Sequence, residues 1–318
     1  VSGGGQVFIG ADAGRKMCDG YQNVALGYSA LRGSNTVADN TGEKNIALGT
    51  SAGEDLTGGD HNVLLGSGAG KGLTTGIYNI FIGGYGGQAA VVGDDNIAIG
   101  REAAKCITSG GCNVILGHCS GCSVTTACYN VIIGDQAGYS VEGGTENIFI
   151  GKNAGYGAEP TSSNNVVIGS DGGKCITSHN NGIFIGHEAG RYVKTGYKSI
   201  YLGDGAGEYR ECSLMNVAIG SGALAGSTTP SNNNGVHNYA IGVNAGAELT
   251  TGDCNQFFGF GAGDNLTTGS ENTFLGHNAG KNFTSGYGNI AIGHAACGFF
   301  SGGATGQSNV IVGNNAGA

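Results

Sequence analysis

The densest run of reactive side chains is 106–128, CITSGGCNVILGHCSGCSVTTAC, where five of the chain's ten cysteines fall and His118 stands beside Cys119 and Cys122. A Cys-x-x-Cys pair next to an imidazole is the donor chemistry of a zinc site, or, in an oxidising compartment, part of a disulfide framework. Gly49, Thr50, Ser51, Ala52 and Gly53 match the Gly-x-Ser-x-Gly pattern of a nucleophile elbow, which requires a sharp strand-to-helix turn. Which of these chemistries is available depends on how the chain holds the residues.

The chain is periodic. A motif of Asn, Ile or Val, an apolar residue, Ile or Leu, then Gly begins at residues 6, 23, 45, 62, 79, 96, 113, 130, 147, 165, 182, 199, 216, 238, 255, 272, 289 and 309, with thirteen of the 17 intervals equal to 17 residues. The consensus is NIAIGxxAGxxLTTGxx. Numbered from the Asn, position 5 is Gly in all 18 copies, which demands a positive φ or a backbone approach too close for a Cβ. Seventeen residues with this much glycine cannot form a helix pair, and β-branched residues dominate positions 2 to 4. Each repeat is therefore expected to be one coil of a parallel β-solenoid with two short extended segments, giving an all-β chain of 18 coils over 1–318. Coils stacked about 4.8 Å apart would extend roughly 85 Å. Asn at position 1, in 15 of 18 copies with Gln6, Gly182 and Ser199 as exceptions, is expected to form an amide ladder.

This register reinterprets the reactive residues. Ser51 occupies position 7, where other coils carry Asn153, Asn244 or Asn278, so the elbow match follows from the repeat. His118, His187, His277 and His294 share position 6 and read as solvated loop residues. Cys106 and Cys122 fall at positions 11 and 10 of neighbouring coils, and Cys112 and Cys128 at positions 17 and 16. Stacking brings each pair near disulfide separation, which favours inter-coil staples over free thiols, inter-chain bridges or metal. No residue calls for catalysis, a metal or another cofactor. Asn265 and Asn282, each two residues before Thr267 or Thr284, are glycosylation sequons at one coil position. Thr at position 13 raises the distant alternative of an ice-binding ladder.

Positions 2 to 4 are apolar on both faces of the strand. Positions 2 and 4 are expected to fill the coil, leaving position 3 as an outward stripe: Phe8, Leu64, Phe81, Ile115, Ile132, Phe149, Phe184, Tyr201, Phe257 and Phe274 are its large members. Such a stripe requires a cover, and the same stripe on other copies supplies it around an axis parallel to the stack, most economically as a parallel homotrimer. Longer intervals all add residues after position 9, giving insert loops 31–44, 224–237 and 297–308, where position 9 is Leu31, Leu224 or Cys297. Loops protruding from a rigid scaffold are common recognition sites.

Composition bounds the rest. Glycine makes up 67 of 318 residues, without the three-residue period of collagen. A net charge of −9 with only 14 Lys and Arg gives no basic stripe for nucleic acid, and no apolar run is long enough for membrane insertion as a helix. Ten cysteines on a repetitive surface point to an extracellular, oxidising setting.

The repeat resembles those of phage-type tail fibres and bacterial surface proteins with runs such as NTAIGxxALxxNTTGxx. It is also similar to the head repeats of trimeric autotransporter adhesins of the YadA type. The resemblance covers essentially the whole chain and rests on the NIAIGxxAG core, as at 147–155 and 289–293. It implies a trimeric, left-handed β-roll used as a spacer or adhesive rod, although the adhesin repeat is typically shorter, at 14 residues. The stalks and anchors that often accompany such repeats are not among these residues. The chain starts at repeat position 13 and stops at position 10, so head-to-tail filament growth is an expected mode alongside a trimmed piece. The expected function is a non-enzymatic fibre shaft, cell-surface or virion-borne. The alternative is an adhesin whose insert loops bind a glycan or protein receptor.

Overall fold

In the computed structural model, residues 4–35, 40–158, 162–298 and 305–317 are described. The chain is all-β, a parallel β-solenoid built from coils of about 17 residues, and it divides into two compact units, Val1–Ser162 and Ser163–Ala318. In each unit, three-residue strands at positions 2 to 4 pair in parallel with no register slip. In the first unit they run from Val7–Ile9 to Ile148–Ile150, and in the second from Val166–Ile168 to Val310–Val312. Val63, Leu64 and Leu65, for example, face Ile80, Phe81 and Ile82.

Position 5 shows why glycine recurs there. Gly83 has φ +122°, and a Cβ on it would lie 2.6 Å from Gly100 O and 2.7 Å from Gly100 C. The backbone turns through a left-handed corner while touching the same corner of the next coil, so both sequence-derived demands apply at once.

The asparagine ladder is present and lies inside. Asn62 Nδ2 donates to Asn45 Oδ1 at 3.0 Å and to Gly76 O at 2.9 Å, and Asn62 Oδ1 accepts Asn79 N–H at 2.8 Å. Each such amide ties its own coil shut and links it to both neighbours, so a fully buried polar row remains hydrogen-bonded.

Because the strand alternates with period two, a buried position 1 forces position 3 inward and positions 2 and 4 outward. This inverts the expected faces. Leu64, Phe81, Ile115, Ile132, Phe149, Phe184, Tyr201, Phe257 and Phe274 are all 0% exposed, and Phe8, in the first described coil, is partly covered. They are core residues and cannot line an interface. They pack with the small position 8 and the apolar position 12, as in Ala69 and Leu73, to fill the coil.

Among the described residues the second extended segment forms a strand in three coils, Ser178–Asn180, Thr195–Tyr197 and Cys212–Leu214, with isolated bridges at Leu73 to Val91 and Tyr287 to Gln307. Elsewhere, as at 57–59, three successive N–H groups converge on one carbonyl of the next coil: Thr57, Gly58 and Gly59 all donate to Thr74 O, at 2.9, 3.2 and 3.2 Å. That convergence replaces a ladder with a corner.

Candidate functional sites

The cysteines are held in neighbouring coils as the register requires, but they are not bridged. Cys106 N donates to Cys122 O at 3.1 Å, and Gly111 N donates to Cys128 Sγ at 3.4 Å beside Cys112. All four are free thiols, so the expected staples are open. Burial pushes the Cys122 thiol up to about 11 and raises that of Cys119, which disfavours the thiolate form in both. Iodoacetamide at about pH 8 is therefore expected to modify the exposed Cys106, Cys112 and Cys254 at least about tenfold faster than the buried Cys122 and Cys297. Peptide mass spectrometry measures this, and equal rates would contradict the burial pattern.

His118 serves a structural row. Arg101 Nη2 donates to its Nε2 at 2.6 Å, and its Nδ1 meets Asp135 Oδ1 at 2.9 Å, so three successive position-6 residues form one chain across three coils. His277 stacks on His294 at 5.1 Å and on Phe260 at 5.1 Å. Among the described residues no group of three or more His, Cys, Asp or Glu is placed to hold a metal ion, and no helix is long and apolar enough to cross a membrane.

The position-13 threonines turn back to the fold. Thr57, Thr108, Thr250 and Thr267 each donate their hydroxyl to a main-chain carbonyl of the next coil at 2.9–3.1 Å, which takes the donors an ice-facing ladder would present. The sequon residues are side-chain bonded too: Asn265 Nδ2 donates to Asn282 Oδ1 at 3.2 Å, and Asn282 Nδ2 to Gly298 O at 2.9 Å.

Two insert loops share one template. In 31–44, Asn40 Oδ1 accepts Ser34 N–H at 2.9 Å while its Nδ2 reaches Ser34 O and Lys16 O. In 224–237, Asn233 Oδ1 accepts Ser227 N–H at 3.0 Å while its Nδ2 reaches Ser227 O and Tyr209 O. The signal is a Gly-Ser followed six residues after the Ser by Asn, at Gly33-Ser34 and Gly226-Ser227. The changed corner has a packing reason, since Leu31, Leu224 and Cys297 adopt φ of +46°, +48° and +55° and bury their side chains in the coil. Residues 36–39 and 299–304 of the first and third loops lie outside the described residues.

Repeat matching did not reveal a polar interior in the second unit. Gly182 lacks the ladder amide, and the His179 ring occupies its space: a Cβ on Gly182 would lie 2.6 Å from His179 Cε1. His179 Nδ1 faces Asn165 Oδ1 at 3.2 Å, and among the described residues Nε2 has no hydrogen-bond partner. Nearby, Tyr201 OH meets Ser213 Oγ at 2.5 Å. Arg210, wholly buried at position 12, donates from Nε to Leu224 O at 3.2 Å and from Nη1 to Gly235 O at 3.3 Å.

No protein-family model and no curated protein matches this chain.

Proposed function

We propose that this chain is a non-enzymatic structural protein, the shaft of an extracellular or virion-borne fibre, in which copies pack side by side through the outward faces of their strands as a parallel homotrimer. The observation that carries this is the pair of outward columns at positions 2 and 4. They hold no charged residue in any copy, and their only polar members apart from Tyr239 are Gln256 and Thr273. Leu48 is 36% exposed, Ile99 39%, Ile241 42% and Leu275 46%. Each unit thus offers apolar surface on the order of several hundred Å², at the upper end of what a soluble monomer leaves open. Ridges repeating every ~4.8 Å along an axis are matched over many coils by another solenoid of the same spacing, and poorly by a globular surface.

Light scattering tests the reading. The chain is expected to run as an oligomer, and Leu48→Lys with Ile99→Lys is expected to yield a folded monomer because both side chains already face outward. The inward Phe81→Lys is instead expected to unfold its coils, at a cost of about 4 kcal/mol or more from burying an unpaired charge. A monomeric parent chain would overturn the association.

A second reading, an adhesin binding a glycan or protein through its insert loops, is supported by the shared asparagine clamp, which holds the bases of 31–44 and 224–237 in one geometry. Deletion of the loops should then abolish attachment and leave the fold intact.

A further inference from the structure

The first insert loop borders a cleft of about 440 Å³ in the first unit, lined by Arg32, Ser34, Asn35, Asp55, Thr57, Gly72, Thr74, Gln88 and Ala90. We propose that this cleft is a binding site for a neutral polyhydroxylated ligand, a mono- or disaccharide. The volume lies in the small-molecule range and accommodates about two pyranose rings.

The cleft follows from the repeat. Positions 10 to 13 of successive coils form its floor, and the small, exposed Ala90 leaves it open where a bulkier residue would close it, while Gly72 brings the main chain of the next coil close, a Cβ there lying 2.1 Å from Ala89 O. Thr57 and Thr74 donate their hydroxyls to Thr74 O and Val91 O, which leaves their oxygens facing outward as acceptors. One wall is an ionic group that sums to zero charge: Arg32 Nη1 meets Glu54 Oε1 at 2.8 Å, and Lys71 Nζ meets Glu54 Oε2 at 3.6 Å, with Asp55 Oδ1 3.9 Å from Arg32 Nη2.

That balance disfavours a phosphate, a sulfate or a metal cation. What remains is a set of closely spaced donors and acceptors. Arg32 Nε is buried without a partner among the described residues, and the Gln88 amide adds both a donor and an acceptor. Asp55 stands beside them as a carboxylate that accepts two O–H groups, the pairing that vicinal hydroxyls of a sugar provide. No aromatic platform lines the cleft, so affinity in the millimolar range is expected, raised by avidity when copies are joined.

The sister loop supplies the control. Glu248 holds the coil position of Asp55 beside 224–237, but its neighbour at position 10 is Ala247, which lacks the ionic wall. The proposal deepens the adhesin reading and does not depend on chain association, so a monomer in light scattering would leave it standing.

The test is saturation-transfer NMR on the full chain with methyl glycosides of glucose, galactose, mannose and N-acetylglucosamine as probes. Transfer to at least one glycoside is expected. Asp55→Asn and the cleft-filling Ala90→Phe should reduce it at least fivefold with melting unchanged, while Glu248→Gln leaves it intact. No transfer to any of the four, or transfer that survives Ala90→Phe, would overturn the proposal.

Discussion

Gly83→Ala is expected to destabilise its coils by about 4 kcal/mol or more, whereas Gly84→Ala, one residue later, should fall within about 1 kcal/mol of neutral. At Gly83 two penalties combine. The backbone has φ +122°, and a Cβ would sit 2.6 Å from Gly100 O, 2.7 Å from Gly100 C and 3.3 Å from Arg101 N. All three are main-chain atoms of a coil fixed by its own strand pairing, so no side-chain movement relieves the contact. At Gly84 the nearest atom is Ser67 O at 3.8 Å. Alanine there also removes freedom from the unfolded chain, which favours folding slightly. Thermal melting combined with hydrogen exchange around residues 79–112 would measure both effects. Equal effects at the two sites would show that coil contact does not explain the invariant glycine.

The same two residues illustrate what was legible in the sequence. An invariant Gly inside one chain is a backbone statement, and the period, the coil boundaries and the asparagine ladder followed from it. The face assignment did not. Positions 2, 3 and 4 are all apolar, so hydrophobicity alone could not choose the inward side. The deciding residue was the Asn at position 1, whose amide is satisfied only within the coil, and parity then places Phe81 inside and Ile82 outside. The mix of sizes at position 3, Phe81 beside Ala98, also belongs to a packed interior, whereas the columns at 2 and 4, mostly Ile, Val and Leu, suit an open strand face.

Other features left no sequence signal. The residue before the ladder asparagine is left-handed in coil after coil, with φ of +56° at Tyr78, +59° at Asp95, +60° at Tyr129 and +58° at Glu146. Side chains of such different kinds do not announce that conformation, which the rigid corner imposes against a cost of about 1–2 kcal/mol per residue. The candidate cleft was equally hidden, because it depends on which coils carry small residues beside an insertion. The loop clamp, by contrast, was readable in principle as a repeated Gly-Ser and Asn spacing.

Acidification is expected to weaken the second unit through His179, by about 3 kcal/mol between pH 6.5 and 4. The imidazole is held in the coil interior in place of the amide Gly182 lacks, and burial lowers its pKa from 6.5 to about 4, the Ser213 backbone offsetting part of the shift. Phe184 packs against the ring at 5.1 Å, and no charged side chain contributes to the shift. Since the folded value is depressed, the unfolded chain binds the proton first as pH falls. The stability contribution is therefore complete above 6.5, declines through the interval and is lost below about 4. Carboxylates add their own acid sensitivity, so the informative quantity is a difference between two proteins. His179→Gly with Gly182→Asn rebuilds the consensus at both positions, allowing the new amide to donate to Asn165 Oδ1 and to its own coil's carbonyl as Asn62 does. Gly182→Asn alone should be destabilising, because its Cβ meets the ring at 2.6 Å. Denaturant titrations across this pH range should show the parent losing about 3 kcal/mol more than the double variant. Parallel pH profiles would mean that the buried ring is already protonated or that its coil opens without consequence for the unit, and would remove His179 as the origin of any acid sensitivity.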